Sequence, residues 1–273
     1  MARLPLSPQV FAILSALIEE RIGIHYSIAE RDILAEKVST RALEAGFDSL
    51  LDYYYFLRYD ADSGTELDAL IDALVVNETY FFREFDQLSV VVEEFLVPKV
   101  KAGSRPRLWS AASSSGEEAL TVAMLLAERG CLEKVEIVAT DISPRILARA
   151  REGVFGKRAL RHVPVPALVD RYLDVSGDTV RVRRNLLAAI QYRRVNLIDP
   201  DQVGSLGVFD VILCRNVLIY FREDRVRQLL QRLAAALKPK GALFVGASES
   251  LLRFGTSFLC EERSGVFYYR KSP

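Results

Sequence analysis

Cysteine and histidine are scarce in this chain of 273 residues, which has three of the first (Cys131, Cys214, Cys260) and two of the second (His25, His162). The cysteines are too few and too scattered for a disulfide framework or a zinc site. Each reads as a small buried hydrophobe, and a reducing cytoplasm is the expected compartment. The histidines lie in unrelated segments, which argues against a histidine-based mechanism. A G-x-S-x-G elbow, a G-x-G-x-x-G fingerprint and any metal-ligand cluster are also missing, so no metal is expected. No apolar run approaches the ~20 residues that span a bilayer. Met1-Ala2-Arg3-Leu4-Pro5 lacks the basic and apolar regions of a signal peptide, so no membrane insertion is expected. Internal repeats and low-complexity tracts are absent too.

What is present is an ordinary globular composition, half of it hydrophobic, in a chain long enough for one large domain or two modest ones. The formal net charge is zero, but residues 1–100 hold 8 Lys/Arg against 18 Asp/Glu, and residues 101–273 hold 28 against 18. Within 145–194 there are 12 basic residues and 4 acidic ones. That excess is either a solvated face attracted to the acidic half or a docking face for an acidic partner.

The first hundred residues read as helices. Ser7-Pro8 is an N-cap followed by proline at N1, with Val10, Ile13, Leu14, Leu17 and Ile18 at helical spacing. Ser27 to Glu30 matches a capping box, and Gly46 closes the helix it opens. Ser49 begins a third helix, Thr65 to Val76 forms a fourth, and a fifth runs from Asp86 to Val97, where Pro98 is expected to stop it. This gives an all-helical N-terminal domain over 1–76 and a connecting segment over 77–107, rich in breakers at its end.

From residue 108 the pattern is strand–helix alternation. Leu108–Ser113, Val135–Asp141, Phe209–Cys214 and Ala242–Ala247 read as strands, and three helices intervene. The expected fold is α/β, a mostly parallel sheet with helices on both faces. Val266–Tyr269 suits an antiparallel addition. Two strand-like runs flanking Asn185 suggest a small β-insert, a hairpin near 178–195.

Open parallel sheets bind ligands beyond the carboxyl ends of their strands. Trp109–Gly116 leaves the first strand through small side chains, which allow close backbone approach, and enters a helix at Glu117-Glu118. Two carboxylates there suit a cationic amino group and repel a pyrophosphate; the alternative is that they favour the helix N-terminus. Asp141 ends the second strand, where a carboxylate can accept from both hydroxyls of a ribose; the alternative is capping of the next helix, although Ser143-Pro144 already supplies that cap.

The segments Asn77-Glu78-Thr79-Tyr80-Phe81-Phe82-Arg83-Glu84, Trp109–Glu118, Ala139-Thr140-Asp141 and Cys214-Arg215-Asn216-Val217-Leu218-Ile219-Tyr220-Phe221 occur in the order seen in the CheR family. Over nearly its whole length the chain resembles these S-adenosylmethionine-dependent enzymes, which methylate glutamate side chains on bacterial chemoreceptors. The resemblance implies a Rossmann-like class I methyltransferase sheet over 108–273. It implies cofactor contacts at Asn77, Thr79, Arg83, Glu118, Asp141, Asn196, Leu197, Arg215 and Asn216, with Asn196-Leu197 at the adenine. Arg83 and Tyr220 would be the catalytic pair, the first holding the substrate carboxylate and the second orienting it. The partner would be the cytoplasmic helices of a methyl-accepting receptor, with no nucleic acid and the enzyme a monomer. Phe81 and Phe82 read as packing.

Two features depart from the family pattern. Relatives are described as docking receptor helices through a basic face of the helical domain, whereas this one is acidic overall. Arg31, Lys37 and Arg41, with His25 nearby, are what remains of such a face. Some relatives bind a peptide tether through a glycine-rich loop, whereas Val175-Ser176-Gly177-Asp178-Thr179 is short and has one glycine; no high-affinity tether binding is expected. The competing readings are a methyltransferase for another substrate and a non-catalytic cofactor-binding scaffold.

Overall fold

The computed structural model describes residues 3–271. The chain forms two compact units, Met1–Val76 with Tyr220–Arg225, and Asn77–Ile219 with Val226–Pro273.

The first unit is built on α1 (Pro8–Ile22), α2 (Arg31–Glu44), α3 (Leu50–Tyr59) and α4 (Gly64–Leu74). Ser7 and Ser49 accept from the backbone N–H groups of Val10 and Asp52, and Ser27 with Glu30 closes the capping box ahead of α2. Leu14, Leu17, Leu34, Val38, Leu57 and Leu70 are fully buried at its centre. Arg41 forks onto Glu66 through bonds of 2.6 and 2.8 Å, and the Tyr53 hydroxyl donates to the same carboxylate at 2.6 Å. Lys37 donates to the Leu74 carbonyl, and Arg31 to that of Leu6. All three cations of the expected docking face are therefore engaged within their own unit. The segment Tyr220–Arg225 joins this unit through a bridge between Ile24 and Phe221 and a bond from the His25 N–H to the Tyr220 carbonyl.

The second unit opens with α5 (Phe85–Val90), a π-helical turn (Val91–Leu96) and α6 (Val97–Lys101). Pro98 does not end this helix. In the widened turn the Val97 N–H reaches the Val92 carbonyl five residues back, and proline then starts α6, where its missing N–H costs little. There follow β1 (Arg107–Ala111), α7 (Glu117–Glu128), β2 (Glu136–Asp141), α8 (Pro144–Glu152), β3 (Val154–Gly156), α9 (Pro166–Tyr172), β4 (Leu173–Ser176) and β5 (Thr179–Val182). The chain continues through α10 (Arg184–Ala188), β6 (Ile190–Arg194), α11 (Pro200–Gly204), β7 (Phe209–Cys214), α12 (Glu223–Ala235), β8 (Leu237–Phe244), β9 (Phe258–Arg263) and β10 (Val266–Lys271).

Seven strands make one sheet in the order β6-β2-β1-β7-β8-β10-β9. Every pairing from β6 to β8 is parallel, and β10 runs antiparallel to both neighbours. The strand order reverses between β1 and β7, which puts the ligand crevice of such a sheet at their carboxyl ends. Strands β1, β2 and β7 are almost wholly buried, as a sheet covered on both faces requires.

The two runs flanking Asn185 are not a hairpin. β5 pairs with β4 and β3 in a separate three-stranded sheet, β6 joins the main sheet, and Asn185 lies in α10 between them. The strand expected from Ala242 starts earlier: β8 already begins at Leu237, and Lys238–Gly241 bulges out opposite β7. That bulge lets Lys238 reach Asp210, which also pairs with Lys99.

Candidate active site

β1 ends at Ala111, and the chain turns through Ala112 and Ser114, both with positive φ, to Gly116 at φ +91°. Glycine is required at 116: besides the backbone angle, a Cβ there would come within 3.0 Å of the Tyr192 hydroxyl. The turn is fastened to the neighbouring strand end. Asp141, the last residue of β2, accepts from the Ser114 N–H at 2.9 Å and from the Ser143 N–H at 3.0 Å, while the Ser113 N–H donates to the Thr140 carbonyl. The carboxylate thus holds two turns at once and is buried with both oxygens in use.

The adjacent glutamates part company at the start of α7. Glu117 turns inward, accepts from the Ser115 hydroxyl at 2.7 Å and is 3% exposed; burial pushes its carboxyl above the usual range. Glu118 accepts from the Ser110 hydroxyl at 2.6 Å and from the Arg215 guanidinium at 2.8 Å. Arg215, just beyond β7, has a side chain only 2% exposed, and its second nitrogen lies 3.1 Å from Glu84 and 2.9 Å from the Arg83 carbonyl. A buried guanidinium needs such compensation, and here two carboxylates provide it.

Asn216 follows with φ +57°, and its side-chain amide approaches Glu84 at 3.4 Å. A Cβ on Gly246 would collide with that amide, so glycine there leaves it room. The turn is pinned by Glu249, which accepts from the N–H groups of Asn216 (2.7 Å), Leu218 (2.8 Å) and Gly246 (2.8 Å). Glu84 in turn accepts from the Ala247 N–H at 3.1 Å. Glu84 and Ser110 lie in segments that the sequence singled out but were given no role there, and Glu249 did not stand out at all. A carboxylate that accepts from backbone groups carries no periodicity, and the one available signal was acidic residues among the buried ends of strands.

The structure brings Glu118, Arg215, Asn216 and the Arg83 backbone together, and it joins Asp141 to the Ser113–Gly116 turn. Asn196 and Leu197 follow β6; the preceding Val195 N–H donates to the Asp141 carbonyl, Asn196 accepts from the Ile198 N–H, and Leu197 is buried. The Arg83 guanidinium donates to the Glu78 carbonyl at 2.8 Å and stands 5.9 Å from the Tyr80 ring. Asn77 and Thr79 are half-buried in the segment leading to it. Tyr220 belongs to the helical unit.

Several buried polar atoms here have no protein partner: the hydroxyls of Ser113, Ser114 and Tyr192, and Nε of Arg215. Unpaired buried polar groups are costly and call for a ligand or water. A nucleoside bearing ribose hydroxyls, an ammonium and a carboxylate has the donors and acceptors to satisfy them, and no phosphate is needed. Among the described residues no group of three or more acidic, histidine or cysteine side chains could hold a metal ion, and no helix is long and apolar enough to cross a membrane.

Residues 77–265 match the family described as "CheR methyltransferase, SAM binding domain", and residues 9–75 match "CheR methyltransferase, all-alpha domain". Chemotaxis protein methyltransferase 2 of Vibrio cholerae is 35% identical over 92% of this chain and 89% of its own length. The chemotaxis protein methyltransferase of Vibrio parahaemolyticus is 33% identical over 99% of this chain and all of its own. That of Escherichia coli is 33% identical over 91% and 86%.

Proposed function

The chain belongs to the CheR methyltransferase family, with S-adenosylmethionine as its cofactor, and from that premise we propose that it methylates glutamate side-chain carboxylates on chemoreceptor cytoplasmic helices. The observation that carries this reading is the Glu118–Arg215–Glu84 ion triad beside the Asp141-pinned turn, at the point where the strand order reverses. In this reading Asp141 accepts from the ribose hydroxyls, Glu118 faces the amino group, and Asn196 and Leu197 meet the base. Asn77, Thr79, Arg215 and Asn216 complete the cofactor's surroundings.

When bound, the cofactor supplies an electrophilic methyl group on a sulfonium. A glutamate with a pKa near 4.3 is already ionised at neutral pH, so the chain needs no general base. Its task is to place the acceptor oxygen in line with the methyl carbon and to exclude water. Effective molarities of order 10⁵–10⁸ M for well-oriented groups show how much acceleration positioning supplies. Arg83 draws in and holds the acceptor carboxylate, and Tyr220 orients it. The carboxylate oxygen would displace the sulfur directly at the methyl carbon, so no residue of the chain would have to give or take a proton.

Each ester removes one negative charge from the receptor, which lowers repulsion between neighbouring helices and shifts a signalling equilibrium toward adaptation. The enzyme works as a cytoplasmic monomer, without a high-affinity peptide tether. The test is incubation with methyl-labelled cofactor and a receptor cytoplasmic domain. Label released as methanol by base identifies a carboxyl ester; label that survives base, or none transferred, refutes the proposal. Arg83→Ala is expected to lower kcat/KM without weakening cofactor binding, and unchanged activity would remove Arg83 from the reaction.

A further inference from the structure

Tyr220 is packed into the helical unit, and a short stretch of that unit's own backbone receives it. Gly23 caps α1 with φ +80°, a left-handed angle that glycine adopts freely, and its N–H closes on the Glu19 carbonyl. The chain then leaves the helix and runs beside Tyr220 and Phe221. Ile24 forms an antiparallel bridge with Phe221, and the His25 N–H donates to the Tyr220 carbonyl at 2.9 Å. Glu19 braces the same junction: one of its carboxylate oxygens lies 3.1 Å from Nδ1 of His25 and the other 3.8 Å from Nε of Arg222. Tyr26, the next residue, is 8% exposed, and burial, Glu30 and Tyr220 push its hydroxyl up to about 12, which marks the two phenols as neighbours.

We infer that the connector Gly23–Tyr26 is the positioning element of Tyr220, so that the helical unit governs the rate of transfer through this one side chain. The inference rests on the methyltransferase reading above, in which Tyr220 orients the acceptor, and adds to it how Tyr220 is held. A hydroxyl at the end of a tyrosine is aimed only if its Cα is fixed. The sequence neighbours of Tyr220 do little to fix it: Ile219 is 59% exposed, and Arg222, Glu223 and Asp224 are exposed as well. The connector supplies instead a backbone-to-backbone bond that no change of rotamer releases. Such a bond leaves no mark on side-chain identity, so the 214–221 motif does not disclose it. The connector also holds none of the residues assigned to the cofactor. Its loss should therefore be felt in turnover and not in cofactor affinity, and a misplacement of about 1 Å is enough to cost about 100-fold.

His25→Pro deletes the N–H that bonds to Tyr220, whereas His25→Ala removes the same ring and keeps that donor, so one is read against the other. With a receptor cytoplasmic domain as acceptor, kcat of the proline variant should lie about 10- to 100-fold below that of the alanine variant. The two should share one KM for the receptor domain and one affinity for S-adenosylhomocysteine. The loss should also depend on the Tyr220 hydroxyl: in a Tyr220→Phe background, proline in place of alanine should cost less than about twofold, because nothing is left to aim. Equal losses in both backgrounds would show that the connector only supports the fold, and would overturn the inference, as would equal kcat for the two variants. If circular dichroism shows the proline variant unfolded, Glu19→Ala, which frees both His25 and Arg222, takes its place in the same cycle. A loss in kcat of about threefold or more that vanishes with Tyr220→Phe is then expected, and no loss, or one that persists, overturns the inference. If Tyr220→Phe is slow while the connector variants are not, this inference falls alone. If Tyr220→Phe itself turns over at the wild-type rate, the role of Tyr220 in the functional reading falls and this inference with it.

Discussion

Glu249 offers the sharpest test of how the site is held. Its carboxylate accepts three backbone N–H groups at 2.7–2.8 Å, with one oxygen shared by Asn216 and Gly246 and the other taken by Leu218. Glutamine in its place keeps one acceptor oxygen and turns an NH₂ group toward an N–H. If the shared oxygen is preserved, the buried Leu218 N–H loses its partner, and a charge-assisted bond of this kind contributes about 1.5–3 kcal/mol. With about 2 kcal/mol lost, Glu249→Gln should melt about 4–8 °C below wild type. Because the Asn216 turn would shift, kcat/KM should fall by about 10- to 100-fold, the scale expected when a positioned group moves by up to about 1 Å. Scanning calorimetry and initial rates of base-labile methyl transfer measure the two effects. A variant within about 1 °C of wild type and equally active would show that the pin is dispensable and that Asn216 is held by something else.

Three other expectations are independent of that one. Asp141→Ala removes the acceptor that fixes the Ser114 turn, and calorimetric titration should show S-adenosylmethionine bound about 10- to 100-fold more weakly, with unchanged affinity counting against the assignment. Burial alone would raise the Asp210 carboxyl, but the Lys238 ammonium, the Arg107 N–H and Lys99 outweigh it and hold the pKa below its ordinary value. Its contribution is therefore present above the unfolded pKa of about 3.9 and is lost as pH falls through the lower folded value; Asp210→Asn should melt lower at pH 7, and a gap undiminished at about pH 3 would refute this. Arg41→Met leaves the half-buried Glu66 charge without its guanidinium, so the helical unit should lose about 3 kcal/mol in urea unfolding, and a loss under about 0.5 kcal/mol would make the pair a surface one.

What the sequence disclosed follows from the range of the forces involved. The turn from β1 into α7 was legible because its small residues and its glutamates act locally, and Asp141 because a strand's end can be read from the apolar run before it. Which of two adjacent glutamates turns inward was not legible from spacing, and only the family resemblance singled out Glu118; the structure tells the two apart by what packs around them, Ser115 against Ser110 and Arg215. The run at 179–182 was recognisable as a strand, but its partners are β3 and β4, and partner choice is decided by contacts distant in sequence. Pro98 shows the same limit at short range: proline predicts a helix end, and a single widened turn removes the conflict.

The left-handed residues set a limit on how this protein can be improved. Of the non-glycine residues with positive φ, Phe82, Glu84, Ala112, Ser114 and Asn216 all belong to the segments that shape the site. Each position costs about 1–2 kcal/mol relative to relaxed backbone, somewhat less for asparagine. Exchange for glycine would relieve that cost at Ala112, whereas at Phe82 and Glu84 it would also remove a buried core ring and a partner of Arg215, and so lose more than it gains. The strain is therefore locked in by the same side chains that hold the site together.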